Sequence, residues 1–152
     1  MRIEGRRELT KYLESVMTRS YEKLREEGRL EYEQNLLKTY IVESNLRTIE
    51  ELQKIPQNEF EMSIYNTKDK YLFILNIKKI NGRKNGERGI FFVDTINPRF
   101  WLFHSVSSSV FTDFFISKII GMTLNNLDHP WFPNQFMEDV GKEEHFRGFS
   151  LK

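Results

Sequence analysis

The hydrophobic positions of this chain change their period partway along it. Leu9, Tyr12, Leu13, Val16, Met17 and Leu24 recur at helical spacings, which puts them on one stripe of an amphipathic helix. Gly28 interrupts that helix. A second helix is predicted from about Leu30 to Val42, with Leu37, Tyr40 and Ile41 on its apolar side. Thr48 followed by Glu51 has the form of a capping box for a short third helix, which Pro56 ends.

Beyond Pro56 the period becomes two. Phe60, Met62 and Ile64 alternate with Glu59, Glu61 and Ser63, as in a half-buried strand. Tyr71–Ile77 is apolar on both faces and reads as a central strand. Asn81-Gly82 and Asn85-Gly86 supply the positive φ angles of hairpin turns, so a β-hairpin should join Tyr71–Ile80 to Gly89–Val93. Arg99–Val106 reads as a further strand. Ser108 or Ser109 should cap a deeply buried helix through Met122, carrying Phe111, Phe114, Phe115, Ile119 and Ile120 and ended with the help of Gly121. Pro133 opens a short helix that closes at Gly141, and His145–Lys152 alternates like a last strand. The fold class expected is α+β: N-terminal helices on a mainly antiparallel sheet of about four or five strands, with one further buried helix near 109–122.

The chain has 152 residues, which suits one domain of residues 1–152. A helical segment covers 1–55 and a sheet-rich segment 56–152. Because the final strand pattern has no polar tail, the chain is expected to be the N-terminal domain of a longer protein. Alanine is absent, and Lys, Ile, Asn, Phe and Glu are common, a bias expected of an AT-rich prokaryotic genome. There is no cysteine, which removes disulfides, thiolate metal sites and a cysteine nucleophile. The basic and acidic side chains number 23 and 22, a net charge of +1. Overall charge therefore points to neither nucleic acid nor acidic partners. Met1 is followed by charged residues rather than an apolar run, and the longest apolar stretches are too short or too interrupted to span a bilayer. The expectation is a cytoplasmic protein with no membrane partner and no cofactor.

Candidate chemistry is sparse. A metal site without cysteine needs converging His, Asp and Glu side chains. His104, Asp128, His129, Glu138, Asp139 and His145 are the candidates for a metal-dependent hydrolase or nuclease, but no histidine pair has the i,i+4 helical spacing of metalloproteases. The simpler reading of Leu127-Asp128-His129-Pro130-Trp131-Phe132-Pro133 is a turn whose Trp131 and Phe132, with Phe136, plug the core. The serines after His104 lack the G-x-S-x-G setting of a nucleophile and are better helix caps. Nucleases of the restriction-endonuclease type carry an acidic residue, then Glu/Asp-x-Lys on the following strand. Here Asp69 is followed by Asn76-Ile77-Lys78, and a neutral amide stands where a hard cation needs a carboxylate. The pattern is at best a degenerate version of that site. No glycine-rich phosphate loop occurs.

The strongest local signal is the hairpin. Lys78, Lys79, Arg83, Lys84 and Arg88 stand against Glu87 alone, and a basic ribbon of this kind can contact phosphates or enter a groove. The leading expectation is a non-catalytic recognition module whose basic hairpin touches nucleic acid or a protein. The alternatives are the metal-dependent hydrolase and an oligomerisation domain, in which Tyr12, Tyr21, Tyr32 and Tyr40 on the N-terminal helices meet a second copy.

Overall fold

In the computed structural model the described residues are 3–27, 36–55, 58–80, 86–123, 126–133, 135, 136, 139 and 142. In chain order they form helix α1 (Arg6–Glu27), strand β1 (Lys38–Ser44), a 3₁₀ turn (Ile49–Lys54), strands β2 (Phe60–Asn66), β3 (Leu72–Lys79), β4 (Arg88–Asp94) and β5 (Phe100–Ser105), helix α2 (Ser109–Met122) and the short strand β6 (Leu127–Asp128). The six strands make one antiparallel sheet in the order β2-β3-β4-β5-β1-β6. The class is α+β.

Alternation along each strand divides the sheet into two faces. On one, Val42, Phe60, Met62, Leu75, Ile77, Phe91, Val93, Trp101 and Phe103 join Phe111, Phe115, Ile116 and Ile119 of α2, Ile49 and Leu52 of the 3₁₀ turn and Ile55 just after it in the main core. Its centre is aromatic. Phe115 meets Phe60 edge-on at 5.2 Å and Phe91 at 4.9 Å between ring centres. On the other face, Leu9, Tyr12 and Leu13 of α1 cover Leu72, Ile74 and Phe92. The expected α1 stripe thus faces the sheet. Tyr12 lies edge-on to Phe92 at 5.8 Å, and the Leu24 side chain lies outside the described residues.

Several expectations are corrected. The stretch predicted as a second helix from Leu30 to Val42 ends within β1, whose Lys38–Val42 are extended, while residues 30–35 lie outside the described set. Lys-Thr-Tyr-Ile-Val-Glu-Ser fits either period over so short a window. Its β-branched and aromatic residues favour a pleated surface, and pairing with β5 on one side and β6 on the other decides the matter. The segment 1–55 is therefore not wholly helical, and the sheet gains two strands beyond the four predicted between residues 59 and 106. The predicted last strand, 145–152, lies outside the described residues. Thr48 precedes the 3₁₀ turn without a side-chain capping bond, so the capping box does not form. Ser108 caps α2 as expected, its Oγ accepting from the Phe111 amide at 3.3 Å. The helix ends at Met122 as expected, and the Thr123 amide closes its last turn on the Ile120 carbonyl. In the stretch predicted as a helix from Pro133 to Gly141, the described Gln135, Phe136 and Asp139 are helical, as is Lys142 beyond it.

Gly89 belongs to β4 and lies against the Phe111 ring of α2. A Cβ there would fall within the edge of the Phe111 ring, and Phe111 is itself buried. Gly89→Ala should therefore destabilise the protein by about 1–3 kcal/mol through overpacking. The check is a lower urea midpoint at unchanged m-value, and substitution of Phe111 by Leu in the same chain should recover part of the loss.

Candidate recognition surface

Among the described residues, α1 covers only part of the face on which it lies. Strand alternation and register place Thr39, Ile41 and Glu43 of β1, Phe100, Leu102 and His104 of β5, and Arg88, Ile90, Phe92 and Asp94 of β4 on it. Only Phe92 among them joins the core cluster beneath α1. Beside the helix, Ile41, Asp94, Ile96, Asn97, Phe100, Leu102 and Phe132 line a hollow of about 300 Å³.

Each wall of the hollow is held by an identifiable device. Asn97 Oδ1 accepts from the Arg99 and Phe100 amides at 3.0 and 3.1 Å, which fixes the turn between β4 and β5. Asp94 Oδ1 accepts from the Ile96 amide at 2.9 Å and from Arg6 Nη2 at 2.9 Å, while Arg6 Nη1 bonds Oδ2. Arg6 Nε also meets Asp69 at 2.7 Å, so one guanidinium joins the start of α1 to the turn before β3 and the end of β4. Phe132 stacks on Phe136 at 5.4 Å. Trp131, beside it in sequence, is 81% exposed. The predicted core plug is thus overturned. Trp131, Phe132 and Phe136 are all exposed, and Phe132 lines the hollow across the sheet from the core that α2 and Leu127 fill.

The electrostatics follow from this packing. Burial pushes the Asp94 carboxyl up, but the Arg6 side chain, the Ile96 amide and the positive charges of Arg6 and His104 outweigh it and hold Asp94 below its ordinary value. His104 bonds Thr39 Oγ1 through Nδ1 at 2.9 Å. Burial lowers its pKa, and the opposing charge of Asp94 does not restore it. On the core-side face, Tyr40 donates to Asp113 at 2.6 Å and meets Thr112 Oγ1 at 2.7 Å. Burial first, then the Asp113 bond, pushes this phenol up to about 12, so Tyr40 ties β1 to α2 as a neutral donor.

The predicted site residues are dispersed. Arg83, Lys84 and His145 lie outside the described residues, as does Glu138. Lys78 pairs with Glu61 at 3.1 Å, and Lys79 sits 4.1 Å over the Phe114 ring. Arg88 is the register partner of Lys78 and is exposed. Asp128 accepts from the His129 amide at 2.7 Å at the β6 edge, while His104 lies inside the sheet on β5. Among the described residues no three His, Cys, Asp or Glu side chains are grouped to hold a metal ion. Asp69 is bound to Arg6 before β3 begins, whereas Asn76 is exposed well along that strand. Ser105 Oγ donates to the Ile90 carbonyl at 2.7 Å and faces away from His104. No helix of the described residues is long and apolar enough to cross a membrane.

A lowered His104 pKa has a definite consequence. The unfolded imidazole, with its ordinary value near 6.5, takes up a proton before the folded one does. The contribution of neutral His104 to stability is therefore complete above that value and falls away as pH drops towards the lower folded value. Wild-type unfolding midpoints should decline as pH goes from about 7 to about 5.5. His104→Asn, which can still meet Thr39, should flatten that decline. Parallel curves would contradict the assignment.

Comparison with known proteins places the chain without supplying an activity. The family model described as "MJECL33-like protein" matches residues 1–152. The "Uncharacterized protein MJECL33" of Methanocaldococcus jannaschii is 33% identical over 157 aligned residues. That alignment takes in 99% of this chain but 34% of the relative, so the chain spans about a third of the relative's length. No solved structure matches. With the family model matched over its whole length, the chain belongs to the MJECL33-like family.

Proposed function

We propose that this chain is a non-catalytic recognition module and that it binds a protein partner through the part of the α1-bearing face that α1 itself does not cover. The observation that carries the reading is the hollow between Ile41, Ile96, Phe100, Leu102 and Phe132. Exposed apolar surface costs free energy in water, and a cluster of it beside polar neighbours is what binding sites are made of. Aromatic walls and a buried carboxylate suit one apolar anchor side chain that carries a hydrogen-bond donor. Titrating the Trp131→Ala variant with N-acetyl-tryptophanamide tests this by NMR, since the chain's own exposed Trp131 is then absent. Saturable shifts should appear at Ile41, Phe100 and Leu102 and vanish in Ile96→Arg, a substitution at an exposed position. Absent shifts, or shifts that survive the substitution, would remove the hollow as a recognition site.

A second reading rests on the hairpin, where five basic side chains between residues 78 and 88 face one acid and Arg88 lies exposed across from Lys78. A ribbon with that charge suits phosphate contact with nucleic acid. Reversing both Arg83 and Lys84 to Glu should weaken binding to a fluorescein-labelled DNA duplex. The salt dependence should flatten as well, by about 0.9 in log–log slope for each phosphate the protein no longer neutralises. Unchanged binding in the double variant would exclude the hairpin as the DNA-binding element.

A further inference from the structure

The geometry points to a second copy of this chain as the occupant of the hollow, with Trp131 of each copy seated in the hollow of the other. This rests on the reading of the hollow as a recognition site and names its partner. Trp131 is 81% exposed, more than any other large apolar side chain among the described residues. It adjoins Phe132, which walls the hollow and is braced by Phe136. Projection and cavity are thus neighbours on one surface. A surface that carries both can meet a second copy across a two-fold axis, each contact then being made twice.

The chemistry of the cavity fits an indole. Its volume of about 300 Å³ lies at the lower limit of small-molecule pockets, roughly 300–1,000 Å³, and suits one side chain better than a whole ligand. Five of its seven lining residues are apolar. At its polar side the Asp94 carboxylate accepts from Arg6 Nη1 and Nη2 and from the Ile96 amide. A carboxylate offers about four lone-pair positions, which leaves room for one more donor, and the indole ring carries a single N–H. Charge does not oppose the approach. Asp94 is matched by Arg6, and Glu43 at the neighbouring strand edge is matched by Arg99 at 2.7 Å. Two such rims can meet without like-charge repulsion.

Sedimentation equilibrium of the whole chain tests the pairing. Wild type should dimerise, and Trp131→Ala and Ile96→Arg should each weaken association about tenfold or more. Both positions are exposed, so both variants should fold. An equimolar mixture of the two should associate more tightly than either alone, because the intact Trp131 of one meets the open hollow of the other. Wild type that stays monomeric, or a dimer unaffected by both substitutions, would overturn the pairing. Monomeric wild type that still binds N-acetyl-tryptophanamide at the hollow would overturn self-association alone. Failure of both measurements would overturn the recognition site with it.

Discussion

The seating of α2 on β4 at Gly89 is the contact on which the rest of the molecule depends. With no side chain at that position, the helix comes close enough for Phe111 and Phe115 to enter the sheet surface between Phe60, Phe91 and Phe103. One face of the sheet is then filled by a single aromatic core with the 3₁₀ turn at its side. The other face is left to α1. A helix is about 10 Å across and strands lie about 4.8 Å apart, so one helix shields roughly two strands. The cover of α1 over Leu72, Ile74 and Phe92 matches that width. Among the described residues, the hollow over β5 and β1 thus lies where α1 does not reach across the six-stranded sheet.

The same geometry gives the polar residues their roles. Arg6 fixes the start of α1 by joining it to Asp69 and Asp94, and Asp94 in turn orders the turn that carries Ile96 and Asn97. The edge of the helix and the edge of the hollow are therefore one connected network. His104 lies on the same face, tied to β1 through Thr39. A partner that seats against the hollow would press on a surface already held rigid by these bonds, which limits the ordering entropy lost on binding.

The fold is legible in the sequence where the pattern is long and repeated. Helix α1, the paired strands β3 and β4, strand β5 and helix α2 all follow from periodicity and caps. β1 does not, because seven residues rich in Thr, Tyr, Ile and Val satisfy both a helical and an extended pattern, and only the partners on β5 and β6 discriminate between them. That one ambiguity hides the site. If β1 is read as a helix, Ile41 cannot be placed beside Leu102 and Phe100, and no hollow can be inferred. A usable signal is Asp94-Thr-Ile-Asn-Pro, where an apolar Ile96 sits inside a turn, as no burial argument would place it. The aromatic stretch at 131–136 stands out in the sequence but reads as inward-facing. Its place across the sheet from the α2 core follows from the pairing of β6 with β1, which no local pattern reports. The basic hairpin is legible as charge, whereas the neutralising Glu61 and the Phe114 ring beneath Lys79 are brought there only by folding.

The central claim is that the aromatic stretch stands open on the α1-bearing face. Acrylamide quenching at high dilution tests it directly, because the two tryptophans differ so sharply: Trp101 is 2% exposed and Trp131 is 81% exposed. Wild type should show one freely quenched and one shielded population, and Trp131→Phe should retain only the shielded one. If dilute wild type and the variant are shielded alike, Trp131 is covered by its own chain, and the open recognition surface does not exist.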